Sequence, residues 1–211
     1  MTSIPSKLVR GFQRFREQHF ERNDNFYQQL VKGGQTPKTL VVACCDSRVD
    51  PALVLDCEPG DLFVIRNVAN LVPPAEGRAG HHGTTAAIEY GVRTLGVQHI
   101  IVFGHARCGG INTLVRTGGS NQPTSFIDDW MGLAESARVS VMHEMPDATL
   151  EEQAQACEQR AILVSLGNLM TFAWVRERVE AGSLTLHGWY FDIEHGQLLR
   201  FNPESRHFES L

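Results

Sequence analysis

The chain has 211 residues, which is long enough for one domain with a complete hydrophobic core. A formal net charge of -5 and the absence of a cluster of basic residues argue against nucleic-acid binding. No apolar stretch approaches the roughly 20 residues of a membrane-spanning helix. Five cysteines and a first segment without the apolar centre of a signal peptide predict reduced thiols in the cytoplasm, with metal binding favoured over disulfides.

The first part of the chain predicts two helices. Apolar and aromatic side chains recur at the 3.6-residue period between Leu8 and His19. A second such patch runs from Phe26 to Val31 and ends at Gly33. We expect an N-terminal helical arm here.

From residue 39 onward, short β-branched runs alternate with helical windows. Uninterrupted apolar strands joined by helices are typical of a parallel sheet that is buried on both faces, so the expected fold class is α/β. Thr149 and Glu152 form the capping-box pattern that opens a long helix. No repeat or linker marks a second domain, so we expect one domain over 1–211, with the arm over 1–34 and an α/β core over 35–211. The strand runs are Leu40–Val42, Leu62–Ile65 and Ile100–Phe103, the first helical window is Thr84–Leu95, and Leu184–Ile193 with Gln197–Phe201 predicts a terminal hairpin.

Two motifs follow predicted strands and carry the residue types of a metal site. His105 and Cys108 lie three residues apart in one turn, so both can reach a single ion. Cys44 ends another strand run, and ligands of open parallel sheets bind beyond the carboxyl ends of the strands. Three protein ligands leave a fourth tetrahedral position for water, which is the pattern of catalytic zinc. The sequence therefore predicts Zn²⁺ bound by these three residues and an activated water molecule.

Asp46 and Arg48 follow the first ligand with the alternation of an extended chain. If the extension continues, both lie on the same side as Cys44, while Cys45 and Ser47 face away. Arg48 would keep Asp46 ionised and fix its direction, so that the carboxylate can accept a hydrogen bond from metal-bound water. The alternative for this segment alone is an Asx-type turn with a surface ion pair.

The other cysteine and histidine residues predict no second site. Cys57 and Cys157 lack partners at ligand spacing and are expected to be inert, partly buried thiols. His81-His82 is expected in a solvated loop, with a proton-relay role as the alternative. Gly109-Gly110 is expected to allow close backbone approach near the metal.

Together, these motifs resemble those of the β-class carbonic anhydrases, from about Gln35 to about Ile193. The resemblance implies zinc held by the three ligands and reversible hydration of CO₂ to bicarbonate and a proton by zinc-bound hydroxide. It also implies a mostly parallel sheet with a four-stranded core plus an edge strand, flanked by helices. The active site would lie at the interface of a homodimer, or of a tetramer or larger assembly, with the N-terminal helices laid over the partner. The motifs that carry the resemblance are Cys44-x-Asp46-Ser47-Arg48, Glu58–Asn67, Ala86-Ala87-Ile88-Glu89-Tyr90, His105-x-x-Cys108-Gly109-Gly110 and His187-Gly188-Trp189.

Within this family the chain is most similar to the plant-type branch. Gln35, nine residues before Cys44, matches the branch's glutamine, which donates a hydrogen bond to substrate oxygen. The other branch has a noncatalytic bicarbonate site built from Trp, Arg and Tyr; here Arg66 is present, but Val41 and Phe191 hold the other two positions. The resemblance places Asp46, Arg48 and Gln35 in catalysis, and Phe63, Val68, Tyr90 and the Gly109 backbone around CO₂.

Two positions depart from the family pattern. Cys45 replaces the usual serine beside the first ligand and adds an oxidisable neighbour. Arg107 replaces a small or polar residue between the other two ligands, either as a solvated side chain or as a holder of an anion at the pocket mouth.

Two other functions fit the same residues. Carbonyl sulfide and carbon disulfide hydrolases resemble this family and share its ligands, but differ in access route and loops. The second is a zinc-binding or redox-sensing protein without catalysis, although a structural zinc has no need of the Asp46–Arg48 pair. We expect a cytoplasmic carbonic anhydrase, a zinc lyase with a small-molecule substrate and with neither nucleic acid nor membrane as a partner.

Overall fold

The computed structural model describes residues 5–21, 25–75, 82–118 and 125–211. The chain divides into two compact units, Met1–Thr36 and Pro37–Leu211. In the first unit, helix α1 spans Ser6–Arg16 and continues as a π-helical turn to Glu21, and α2 spans Phe26–Gly33. Both expected N-terminal helices are therefore present.

The second unit is built on a six-stranded sheet. Its strands follow the order β2–β1–β3–β4–β5–β6, and the first four in that order run parallel. The expected four-stranded parallel core is confirmed, and two antiparallel strands extend its edge where one was expected. The strands are β1 (Thr39–Cys44), β2 (Leu62–Asn67), β3 (His99–His105), β4 (Thr185–Asp192), β5 (Gln197–Asn202) and β6 (His207–Ser210).

Helices connect the parallel strands and cover the sheet. Helix α8 packs on β3 and β4, and α4 packs on β2. The predicted capping box opens α8, because the Thr149 hydroxyl accepts from the Glu152 amide at 3.2 Å and the Glu152 carboxylate accepts from the Thr149 amide at 2.8 Å. Among the described residues, no helix combines the length and apolar character needed to cross a membrane. The described helices of this unit are α3 (Pro51–Val54), α4 (Gly83–Glu89, continued by a π-helical turn to Leu95), α5 (Gly109–Thr117), α6 (Phe126–Met131), α7 (Glu135–Glu144), α8 (Leu150–Leu169) and α9 (Ala173–Glu180).

Strand register brings the two predicted ligand loops to one edge of the sheet. Ala43 lies opposite Phe103, so β1 and β3 end side by side. The segment from Leu40 to Cys44 is fully or almost fully buried, as expected for a central parallel strand. The loops after Cys44 and His105 therefore leave neighbouring strands at their carboxyl ends.

Candidate metal centre

The structure brings the three predicted metal ligands together. The sulfur atoms of Cys44 and Cys108 and a ring nitrogen of His105 all lie within 4.8 Å of one another. Their residues are only 5%, 2% and 1% exposed. A tetrahedral zinc with Zn–S bonds of about 2.3 Å and Zn–N bonds of about 2.0 Å needs donors about 3.4–3.8 Å apart, so small adjustments bring the cluster to that geometry.

The His105 ring is oriented by the backbone next to it. Its Nδ1 lies 2.8 Å from the carbonyl oxygen of Ala106, whose amide is itself bonded to the Phe191 carbonyl at 2.9 Å. Nδ1 donates to that carbonyl in the tautomer that leaves the Nε2 lone pair free. Within the described part of the chain, Nε2 is the one buried side-chain nitrogen or oxygen atom without a hydrogen-bond partner. A bound metal ion would satisfy this atom.

The thiols of Cys44 and Cys108 interact closely. Hydrogen bonding with Cys108 lowers the pKa of Cys44, and the same interaction together with burial raises the pKa of Cys108. The Ala69 amide also donates to the Cys44 sulfur at 3.4 Å, from a left-handed backbone with φ of 63°. A metal that accepts thiolate ligands, such as zinc, suits this sulfur-rich donor set.

Asp46 and Arg48 form the predicted pair beside the cluster. Arg48 donates from Nε to Oδ1 of Asp46 at 2.9 Å and from Nη2 to Oδ2 at 2.7 Å. Oδ2 also lies 3.9 Å from the free Nε2 of His105. The hydrogen bond from Arg48 lowers the pKa of Asp46 well below its usual range. The Arg48 amide also donates to Oδ1, at 2.9 Å. The segment therefore forms the Asx-type turn and, at the same time, the side-chain pair between Asp46 and Arg48.

Arg107 joins the second ligand loop to this pair. Its backbone has a left-handed φ of 59°, and its carbonyl oxygen accepts from Arg48 Nη2 at 3.1 Å. Its guanidinium pairs with Glu151 at 2.6 Å and with Glu194 at 3.1 Å. The guanidinium, 43% exposed, is thus paired with two carboxylates of the same chain, and a role in holding an anion stays a prediction.

The residues predicted around CO₂ divide into two groups. Val68 and Gly109 line one cavity of about 350 Å³. Phe63 contacts Tyr90, with ring centroids 6.0 Å apart, but it lies near the start of β2, opposite Leu40. Four residues of strand, roughly 13 Å, separate Phe63 from Asn67, the neighbour of Cys44 in the sheet.

Other sequence predictions have mixed outcomes. A Cβ on Gly110 would lie 2.9 Å from Val68, so the expected close approach holds there, whereas Gly109 has open space. Cys157 is buried, and burial raises the pKa of its thiol to about 12. Cys57 is half-buried. Gln35 belongs to the first unit, and its role stays a prediction. His81 lies outside the described residues.

Sequence analysis missed a buried pair next to Cys108. Glu158 on α8 accepts from the Cys108 amide at 2.8 Å and from the Tyr190 hydroxyl at 2.8 Å. Burial raises the pKa of Glu158, while these two hydrogen bonds oppose the rise. One signal was available, because Glu158 lies at helical spacing between the apolar positions Ala154 and Ala161 and is therefore on the buried face.

Comparisons with known proteins agree with this geometry. A family model described as carbonic anhydrase matches residues 39–198. Beta carbonic anhydrase 3 of Arabidopsis thaliana is 38% identical over 192 residues, which are 90% of this chain and 74% of that protein. Beta carbonic anhydrase 5 of the same plant, named chloroplastic, is 39% identical over 91% of this chain, and the match spans 63% of that protein.

Solved structures show the same fold. The β-carbonic anhydrase CcaA superposes with a TM-score of 0.90 and 35% identity, covering 98% of this chain and 91% of that one. One of two tetrameric β-carbonic anhydrases from Sordaria macrospora superposes with a TM-score of 0.82 and 29% identity, covering 93% and 96%. The chain described above therefore belongs to the β-class carbonic anhydrase family, in its plant-type branch.

Proposed function

We propose that this chain catalyses the reversible hydration of CO₂ to bicarbonate and a proton, with zinc held by Cys44, His105 and Cys108. The observation that carries the proposal is a buried cluster of two sulfurs and one imidazole nitrogen without a hydrogen-bond partner, with the Asp46 carboxylate beside it. Three protein donors suit a catalytic zinc with one open position. When bound, zinc supplies a Lewis acid that makes water a nucleophile near neutral pH.

Asp46 orients the nucleophilic water. Its carboxylate is held by two hydrogen bonds from the Arg48 side chain, and Oδ2 lies on the His105 side of the pair. An ionised carboxylate in that position accepts a hydrogen bond from the water and so directs an oxygen lone pair at CO₂. This acceptor matters because two thiolates cancel the charge of Zn²⁺ and weaken its effect on water.

CO₂ is apolar and fits an apolar wall. We propose Val68 and the Gly109 backbone as that wall within one chain, and their common lining of a cavity of about 350 Å³ supports this. Phe63 and Tyr90 lie at the opposite end of β2, and Tyr90 is 44% exposed. We propose that these two side chains, together with Gln35, serve the site of a second copy in a homodimer.

Two further observations support the homodimer. Leu8 and Phe12 on α1 are largely exposed apolar side chains, as expected for an arm that packs on a partner. The Sordaria relative is described as tetrameric, which is compatible with pairs of dimers. The arm and the α/β core would then act as one catalytic domain.

The alternatives are tested by the same experiment. We expect about one zinc per chain and rapid CO₂ hydration by stopped flow, measured on one purified sample. Carbonyl sulfide turnover is measured in parallel, since a hydrolase for that substrate would show the reverse preference. A zinc-loaded protein that turns over neither substrate would contradict the proposal and favour a non-catalytic zinc protein. The cytoplasmic location stays a prediction.

A further inference from the structure

A buried carboxylate lies directly behind the Cys108 ligand. Glu158 is 4% exposed, and its two oxygens accept separately: Oε1 from the Cys108 amide and Oε2 from the Tyr190 hydroxyl, both at 2.8 Å. Tyr190 is completely buried. Both carboxylate oxygens are thus engaged, one by the ligand loop and one by the sheet. We infer that Glu158, anchored by Tyr190, is a positioning residue that holds the Cys108 thiol in the position it needs to bind a metal. The inference rests on the proposed zinc site.

The sheet is shaped to let α8 reach the ligand loop. A Cβ on Gly104 would lie 2.7 Å from the Ile162 side chain, and one on Gly188 would lie 2.9 Å from it. These two glycines are on neighbouring strands, and they admit Ile162, which follows Glu158 by one helical turn. The close approach of α8 therefore brings Glu158 within hydrogen-bonding distance of the Cys108 amide.

Among the described residues, Glu158 is the acceptor that the structure gives the Cys108 amide. Cys108 lies at the N-cap of α5, where backbone N–H groups lack partners within the helix. Glu158 is almost fully buried where it accepts this amide, and a carboxylate forms a strong, charge-assisted hydrogen bond with a backbone N–H. That bond fixes the backbone from which the Cys108 side chain reaches toward Cys44 and His105.

A purely structural role makes a different prediction. If Glu158 only stabilised the fold, its loss would lower thermal stability and leave metal affinity unchanged. Gln153 provides the comparison, because it lies on the same helix, is 6% exposed and donates to the Met145 carbonyl at 2.9 Å. Its hydrogen bond is part-buried and is made to the segment between α7 and α8.

The experiment measures zinc affinity by competition with a chromophoric chelator, the thiolate-to-Co²⁺ charge-transfer band, and thermal unfolding of the metal-free protein. Outer-shell partners of metal ligands are typically worth about 10- to 100-fold in affinity, so we expect a loss of that size for Glu158→Met, with a shifted cobalt band. Glu158→Gln keeps an acceptor for Cys108 and should stay within about threefold of the wild type, a rescue that overpacking or lost volume would not produce. Gln153→Leu should lower thermal stability alone.

Tyr190→Phe keeps the test decisive if Glu158→Met does not fold. It removes one hydroxyl, and we expect an affinity loss of about tenfold, because Glu158 loses its anchor. Wild-type affinity and an unshifted cobalt band in Glu158→Met, or in Tyr190→Phe where Met is not obtained, would overturn the inference. Equal losses in Gln153→Leu and Glu158→Met would do the same. A wild-type chain that binds no zinc would instead overturn the proposed function.

Discussion

Arg66 donates from Nη2 to the carbonyl oxygen of Asp46 at 2.7 Å. Its Nε donates to the Cys44 carbonyl at 3.0 Å, and its Nη1 bonds the Asp50 carboxylate at 2.8 Å. The same carboxylate caps α3 by accepting from the Ala52 amide at 3.0 Å. The Arg66 guanidinium therefore holds in place the loop that contains both the first metal ligand, Cys44, and the Asp46 carboxylate.

Replacing Arg66 should loosen this loop. We expect Arg66→Met to lower the free energy of unfolding by about 2 kcal/mol or more, because its charge-assisted hydrogen bonds to the Cys44 carbonyl, the Asp46 carbonyl and the Asp50 carboxylate are lost. Zinc affinity should fall as well, since the Cys44 backbone is no longer held. Chemical denaturation and chelator competition measure the two effects.

Arg93→Met is the matched control for the Arg66 substitution. Arg93 makes one exposed pair with Glu89 at 2.8 Å, and such surface pairs contribute little. We expect Arg93→Met to lower the free energy of unfolding by less than about 0.5 kcal/mol and to leave zinc affinity unchanged. Equal effects of the two substitutions would show that Arg66 acts only as a surface charge.

Asp46→Asn should separate zinc binding from catalysis. The amide keeps the shape of the side chain, but it can place an NH₂ donor where the carboxylate accepts a hydrogen bond from the water, so we expect kcat to fall about 100-fold at unchanged zinc content. Asp61→Asn is the control, because Asp61 accepts a backbone amide in a turn and lies outside the site. Unchanged turnover in Asp46→Asn would mean that the pair with Arg48 serves only the loop structure.

The two adjacent cysteines should behave oppositely. Cys44 belongs to the buried cluster, whereas Cys45 is exposed and lines a separate cavity of about 1030 Å³. Cys44→Ser should lose zinc, and Cys45→Ser should keep it, by metal analysis after dialysis. Loss from Cys45→Ser with retention in Cys44→Ser would reverse the assignment.

The meeting of the ligand loops was predictable because it follows from local patterns and one topological rule. The apolar runs ending at Cys44 and Phe103 indicate buried parallel strands, and such strands end at a common edge. The alternation agrees with a buried Cys44 at the end of β1 and an exposed Cys45 after it. The expected extension does not continue beyond that point, because the chain turns at Ser47 and Arg48, and Asp46 meets Arg48 through the Asx-type turn. The extra edge strand β6 was missed because His207–Ser210 has no apolar run and owes its form to pairing with β5.

Long-range partners could not be predicted in the same way. Glu158 is 50 residues from Cys108, and which backbone amide it meets depends on how closely α8 approaches the sheet. Arg107 likewise pairs with Glu151, 44 residues away, and with Glu194 in the turn between β4 and β5. A single sequence shows that such charges exist, but their pairing depends on tertiary packing.

The last prediction concerns regulation by bicarbonate. The other branch of the family has a noncatalytic bicarbonate site that uses an arginine together with tryptophan and tyrosine. Here Val41 is completely buried, Phe191 stacks on Phe103 with centroids 6.5 Å apart, and neither side chain offers a polar donor. An anion would also have to displace the Asp50 and backbone partners of Arg66. We therefore expect no allosteric closure in which Asp46 moves onto the metal.

The dependence of activity on pH distinguishes an enzyme with such allosteric closure from one without it. Hydrogen bonding from Arg48 lowers the pKa of Asp46, so its contribution to stability is present above the ordinary aspartate pKa and is lost only in stronger acid. Between about pH 6.5 and about pH 9, activity should fall smoothly toward acid, as for one titrating group, and added bicarbonate should act only as product. Stopped-flow kinetics across that range, with and without bicarbonate, would decide the point. A steep, cooperative loss that bicarbonate enhances, together with an Asp46–zinc bond in crystals grown in acid, would show that Arg66 can leave its partners and bind an anion.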